Sequence, residues 1–263
     1  MTVHAQRIPV LMYHRVGETH NAWERRFCIP PDQFASHMHR LASLGMRACS
    51  LVEFVAWLGQ EQELPRGSFL LTFDDGFLGV YEHATPVLQD IGWPATVFLV
   101  SRRIGGQDHW TKSENPSGAT YPLMSVEHID AMRGAGFTFQ SHTRVHADLT
   151  TLSEADLAED LAGSRRDLED LLGEEIRCLA YPYGRLSDRV ISATREAGYE
   201  VAFSTQPGFN RRNVDRYRIR RLDVFGTDTP RMLTRKIFYG SNDGSWQQTF
   251  RYYRGRAAAR LGL

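Results

Sequence analysis

Cysteine is scarce in this 263-residue chain: Cys28, Cys49 and Cys178 are three, odd in number and far apart. That excludes a disulfide framework and a cysteine-based metal site, and it suits a reducing compartment. Long apolar runs are missing too. No stretch approaches the roughly 18 residues of a membrane span. Residues 1–7 hold no apolar core of a signal peptide ahead of the strand-length run 8–13. These absences give two expectations, no transmembrane segment and a cytoplasmic location. Net charge is absent as well, with 31 basic against 31 acidic residues. A balanced chain offers no whole-molecule electrostatic case for nucleic acid. Finally, no repeat period stands out, and histidine disappears after His146.

What is present centres on the end of one apolar run. Residues 68–73 are short, mostly apolar and rich in β-formers, which predicts a buried strand. Asp74 and Asp75 follow at once, then the turn residue Gly76. Two adjacent carboxylates at the tip of a buried strand repel unless a partner neutralises them. A bound metal does so; an Asx turn or a helix N-cap pair is the alternative that needs no ligand. A second strand-like run, residues 137–141, leads into His142 and His146, four apart. On a helical turn positions i and i+4 face the same way, so both imidazoles can reach one ion. Two surface histidines on a helix would show the same spacing. The Glu that follows the first His in helical zinc proteases is Thr143 here, which excludes that motif. One Asp and two His supply three protein ligands and leave a position open, the pattern of a catalytic metal site. A third run, 176–181, ends in Pro182-Tyr183-Gly184, which by itself reads as a plain turn.

Along the chain, strand-like runs at 9–13, 68–73, 95–100, 138–140, 177–181, 201–204 and 218–224 alternate with helix-like ones. The helical runs are 31–44, 52–58, 80–91, 126–135, 154–172, 188–197 and 230–238. Gly45, Gly92 and Gly198 stand where helices should end, and Ser153 with Asp156 three residues on starts the longest one. Such alternation predicts an α/β fold with a parallel sheet, and about seven β/α units predict a barrel in one domain. Barrel enzymes carry their chemistry at the C-terminal ends of strands, and Asp74, Asp75, His142, His146 and Tyr183 all fall just past predicted strands. A long loop, 105–122, is expected to lie over that end.

Thr72-Phe73-Asp74-Asp75-Gly76, Ser141-His142-Thr143 with His146, and Tyr181-Pro182-Tyr183-Gly184 occur in this order. Together they resemble the first three motifs of the polysaccharide deacetylases (carbohydrate esterase family 4). The start, Pro9-Val10-Leu11-Met12-Tyr13-His14-Arg15-Val16, resembles the branch that deacetylates poly-N-acetylglucosamine. The likeness spans roughly residues 7–225. It implies an irregular (β/α)7 barrel, with Asp75, His142 and His146 as ligands of a divalent metal and Asp74 as general base. The metal is expected to be zinc, with cobalt, nickel or iron as alternatives. The backbone N–H of Tyr183 would stabilise the oxyanion. The family's usual C-terminal acid histidine has no counterpart here. The resemblance to the second branch places His14 in that role, with Asp223 as the carboxylate that orients it. Many relatives carry an Arg where this chain has Ala180, so Arg220 and Arg221 are the first suspects to pair with Asp74.

Sugar sites offer aromatic faces, and Trp110, Tyr13 and Tyr183 are the candidates for substrate contact. The remaining histidines (His4, His20, His37, His39, His83, His109 and His128) are expected at the surface, with His109 in the long loop the one candidate exception. Residues 1–240 read as the catalytic domain. Residues 241–263, with the basic and aromatic run 250–256, read as a tail, solvated or in peripheral contact with anionic lipid. The expected partner is an N-acetylated sugar or glycan. The expected activity is metal-dependent removal of N-acetyl groups with release of acetate. The rivals are an O-acetyl esterase or N-deformylase on the same site, and a non-catalytic carbohydrate-binding protein on the same barrel.

Overall fold

The computed structural model describes residues 6–247. A parallel sheet forms around the runs that carry apolar residues on both faces. It begins with β1 (Val10–Tyr13), after which β2 (Arg15–Val16) and β3 (Cys28–Ile29) pair with each other outside it. Helix α1 (Pro31–Ser43), β4 (Arg47–Cys49), α2 (Leu51–Leu58) and β5 (Ser68–Phe73) follow. Then come α3 (Thr85–Ile91), β6 (Ala95–Leu99), α4 (Val126–Arg133), β7 (Phe137–Ser141), α5 (Glu154–Leu172) and β8 (Cys178–Ala180). Next come α6 (Asp188–Glu196), β9 (Val201–Phe203), β10 (Leu222–Asp223) and α7 (Pro230–Tyr239). The main sheet runs β10-β1-β5-β6-β7-β8-β9, and β4 pairs with the first half of β5.

All six residues of β5 are buried, as expected of a strand covered on both sides. Its alternation separates two layers. Phe69, Leu71 and Phe73 join the layer under the helices, where α1 adds Phe34, Met38 and Leu41 and α5 adds Leu157, Leu161 and Leu168. Leu70 joins a second cluster with Val10, Phe98, Cys178, Val201, Phe203 and the plug residues Phe54 and Trp57 of α2. This second cluster is the barrel interior.

The sheet curls until its edges meet through one segment. The backbone N–H of Ala202 donates to Arg216 O, Ser204 N–H donates to Ile219 O, and Ile219 bridges in parallel to Phe203. Three residues further on, Leu222 and Asp223 are in register with Leu11 and Met12 of β1. The strand expected at 218–224 is therefore ladder-paired only at Leu222–Asp223, because it leaves β9 for β1 partway along. The barrel is irregular and closes here.

Other elements differ from expectation for local reasons. The run 80–91 is a π turn, Val80–Ala84, leading into α3. Pro86 has no N–H to give to the residue four back, and Thr85 N–H reaches Val80 O, five back. Ser153 caps α5 by accepting from Asp156 N–H, and Gly45, Gly92 and Gly198 all take positive φ. The three cysteines are buried and free. No helix among the described residues is long and apolar enough to cross a membrane. The run 250–256 lies outside the described residues, as does His4.

Candidate functional site

The backbone turns sharply at Asp74 and Asp75, just past the tip of β5. Asp75 has φ 72° and Gly76 φ 78°, and Gly76 N–H donates to Asp74 O at 2.9 Å. A non-glycine residue in the left-handed region is uncommon and stores strain. A side chain at Gly76 would be strained by that φ, and its Cβ would stand 2.7 Å from Leu99 Cδ2, which would have to shift.

The two histidines follow β7 on a loop, which corrects the expected helical turn. His142 N–H donates to Leu99 O, and Thr143 and His146 take φ 68° and 62°. The loop rests on α5. Ser141 Oγ bonds Ser164 Oγ at 2.7 Å, and the Arg144 backbone N–H donates to buried Asp160 at 3.1 Å. His146 N–H donates to Thr143 Oγ1. Hydrogen bonds, not helical periodicity, bring the imidazoles to one point.

At that point Asp75, His142 and His146 place one ligand atom each within 4.8 Å of one another, all buried. His142 Nε2 lies 3.5 Å and His146 Nε2 3.3 Å from Asp75 Oδ1. Donors at zinc-ligand distance from one tetrahedral ion stand about 3.3 Å apart. Asp75 Oδ1 is buried with no hydrogen-bond partner, a costly state that a cation relieves. His142 Nδ1 lies 2.8 Å from Ala180 O; a carbonyl only accepts, so the proton sits on Nδ1 and the Nε2 lone pair faces Asp75. Burial holds the His142 pKa down at about 4, against the pull of Asp74 and Asp75, so the ring is a neutral ligand at neutral pH. The donor set fits a divalent ion with an open position.

Asp74 is built differently. Arg221 donates from Nη1 to Oδ1 at 2.6 Å and from Nη2 to Oδ2 at 2.8 Å, while its Nε donates to Ser204 O. Both side chains are buried. Burial pushes the Asp74 carboxyl up, but the Arg221 charge and hydrogen bonds, with His142, outweigh it and hold the pKa below the usual carboxylate range. Of the two suspected arginines, Arg221 points into the barrel and takes the place left by Ala180. Arg220 points out and donates to Pro207 O.

His14, Trp110, Tyr183 and Asp223 line the same cleft, of about 370 Å³, a volume in the range of small-ligand sites. His14 packs edge-on against Phe27. Asp223 Oδ2 accepts from Asn242 Nδ2 at 2.6 Å, and no hydrogen bond joins it to His14 among the described residues. Burial raises the Asp223 pKa, while the nearby His14, Arg221 and Lys236 charges oppose that. Tyr183 takes φ 59° at the rim and Gly184 φ 65°. A Cβ on Gly184 would meet Thr205 Oγ1 at 1.9 Å. Gly184→Ala is therefore expected to lower stability by more than the about 1–2 kcal/mol of a left-handed residue alone; urea unfolding within a few tenths of wild type would contradict this.

Tyr13 does not reach the cleft, a second correction. Side chains alternate along a strand, and Met12 faces the cleft while Tyr13 faces the helices. Tyr13 is fully buried against Phe34 and Phe73, with its hydroxyl 3.1 Å from His37 Nδ1. His37 is likewise buried, with Nε2 at 2.6 Å from Asp228 O, and is no surface residue. His20, His39 and His109 are exposed, and His83 and His128 half-buried.

Sequence reasoning missed the anchor of the 105–122 loop. Glu24, buried, accepts from Arg15 Nη2 (3.1 Å), His20 N–H (2.8 Å), Asn115 Nδ2 (3.2 Å) and Tyr121 OH (2.7 Å). It lies in a stretch without periodicity, so nothing in the sequence announces it. Through it the loop is held over the cleft, where Asp108, Trp110, Thr111 and Tyr121 form one wall.

The profile of the polysaccharide deacetylase family matches residues 61–202, more than half of the chain. The poly-β-1,6-N-acetyl-D-glucosamine N-deacetylase of Staphylococcus epidermidis is 28% identical over 76% of this chain and 69% of its own. Among solved structures, IcaB from Ammonifex degensii superposes with a TM-score of 0.72 at 28% identity, covering 83% of this chain and 91% of that one. A polysaccharide deacetylase from Bacillus cereus gives 0.74 at 25% identity, over 89% and 69%.

Proposed function

We propose that this chain, which belongs to the polysaccharide deacetylase family, removes N-acetyl groups from an N-acetylglucosamine glycan and releases acetate. The observation that carries the reading is the buried triangle of Asp75, His142 and His146 beside an Asp74 that Arg221 keeps ionised. The names of the staphylococcal relatives support the substrate class.

Asp75, His142 and His146 would hold the ion, and two imidazoles with one carboxylate suit zinc first. Bound there, a divalent ion supplies Lewis-acid polarisation of the amide carbonyl and acidifies water. Asp74 takes the proton of the attacking water. Its Oδ2 stands 4.0 Å from His142 Nε2, so base and ligand face one space. Its depressed pKa keeps it ready as an acceptor throughout the neutral range. The Tyr183 N–H, in the left-handed turn at the rim, donates to the oxyanion as it forms. His14, which lines the same cleft, protonates the amine as it departs, which an amide needs. Asp223 lines the same cleft, held by Asn242 rather than by a hydrogen bond to His14. Trp110 and Tyr183 give the sugar its aromatic surfaces.

Acetate and free amine should appear when purified protein meets β-1,6-linked N-acetylglucosamine oligomers. Dialysis against a chelator should abolish most turnover, and zinc or cobalt should restore it. Formate, or a freed hydroxyl in place of an amine, would instead assign a deformylase or an esterase. A protein with stoichiometric metal that releases nothing from a broad acetylated panel would end the enzymatic reading.

A further inference from the structure

We propose that Trp110 is a positioning residue for His146: stacking against its indole, in place of a hydrogen bond, sets the plane of that imidazole. This rests on the reading of Asp75, His142 and His146 as metal ligands.

The two histidines are held unequally. His142 has its second nitrogen tied to Ala180 O at 2.8 Å. His146 Nδ1 is buried and has no hydrogen-bond partner. Metal-binding imidazoles almost always donate through the nitrogen that does not ligate, and that bond fixes the ring. His146 lacks it, and its backbone sits in the left-handed region at φ 62°. Rings surround it instead. Trp110 lies nearly parallel over it, with centroids 4.6 Å apart and planes 19° apart. Tyr183 meets it edge-on at 4.7 Å and His142 at 4.9 Å. Among the described residues Trp110 alone lies parallel to the imidazole, so its indole plane sets the tilt.

Trp110 is itself well fixed. It stands in the short turn His109–Thr111 of the 105–122 loop. Buried Asp108 accepts from Thr111 Oγ1 at 2.8 Å and from the Tyr121 N–H. Tyr121 in turn donates to Glu24. A chain of contacts thus runs from the buried Glu24 carboxylate, through the 105–122 loop, to a ligand on the loop after β7.

A sugar platform and a ligand support leave different traces. Zinc affinity of the full chain would be measured by competition with a chromophoric chelator for wild type, W110A, W110L, W110F and H146A. W110A and W110L are expected to bind zinc about 10- to 100-fold more weakly, the usual effect of losing a group that orients a ligand. W110F keeps a ring to stack and should retain most of the affinity. Zinc should change the tryptophan emission of wild type, and that change should be largely missing in W110F. W110L keeps apolar volume, so it reports even where W110A folds poorly. Wild-type affinity in both W110A and W110L, with only KM raised, would overturn the proposal and leave Trp110 as a sugar platform. Wild-type zinc binding no tighter than that of H146A would remove the metal centre itself, and this proposal with it.

Discussion

Asp74→Asn is expected to cut kcat by about 10²- to 10⁴-fold, the contribution of a positioned general base, while metal content stays at the wild-type level. Asn matches Asp in shape, and its amide oxygen can still accept from one of the two Arg221 nitrogens that now hold Oδ1 and Oδ2. It cannot take a proton from water. Asp75, the carboxylate facing both Nε2 atoms, is untouched, so the ligand set survives. The substitution also leaves the buried Arg221 charge without its counter-charge, so some loss of stability should accompany the loss of rate. Metal analysis, acetate release and thermal unfolding on the same preparation separate the three effects. Turnover near wild type would remove Asp74 from the mechanism; loss of metal would show that it is a ligand.

Arg221→Met should be the most destabilising of the substitutions considered, by about 3–5 kcal/mol near neutral pH, because it strands a buried carboxylate. The sign of the pH dependence follows from the direction of the Asp74 shift. In the wild type the folded pKa is below the unfolded one. Ionised Asp74 therefore stabilises the fold above the unfolded value, and this is lost as pH falls through the folded pKa. Without the guanidinium, burial dominates and the folded pKa rises above the unfolded one. The variant is then penalised at neutral pH, and the penalty fades in acid. Urea titrations at neutral and mildly acidic pH should show the gap between wild type and variant narrowing. The acid limb of kcat/KM should move upward in the variant, since Asp74 must now lose a proton within the assay range. Arg221→Lys should lie between the two, because an ammonium supplies charge without the paired geometry. Equal stability at all pH values, or an unmoved limb, would mean that another cation neutralises Asp74.

Much of this was legible from residues alone, and the failures have physical causes. β5 matches its expected range because six consecutive buried residues followed by two Asp and a Gly admit few readings. α5 matches as well, since Ser153 marks its start, and the structure ends it at Gly173 with a left-handed residue. The pair β2 and β3 left no trace, being two residues each. β4, Arg47–Cys49, offers no alternation to detect. The spacing of His142 and His146 suits a helical turn and a folded loop equally, and no Gly announces the left-handed residues Thr143 and His146. Tyr13 was misplaced because its neighbours on both sides reach the cleft, and parity along a strand forbids it from doing the same. Arg220 and Arg221 stood together as suspects for the opposite reason: without the register of a strand that changes partners, nothing told inward from outward.

That partner change has a consequence for biosynthesis. Asp74 and Arg221 are 147 residues apart, and the segment bearing Arg221 is also the one that seals the ring between β9 and β1. During translation the aspartate emerges long before its cation. Until the late segment docks, folding of the earlier strands around it must leave that carboxyl protonated or wet. The centre is thus completed only after Arg221 has been made, by the same step that finishes the wall.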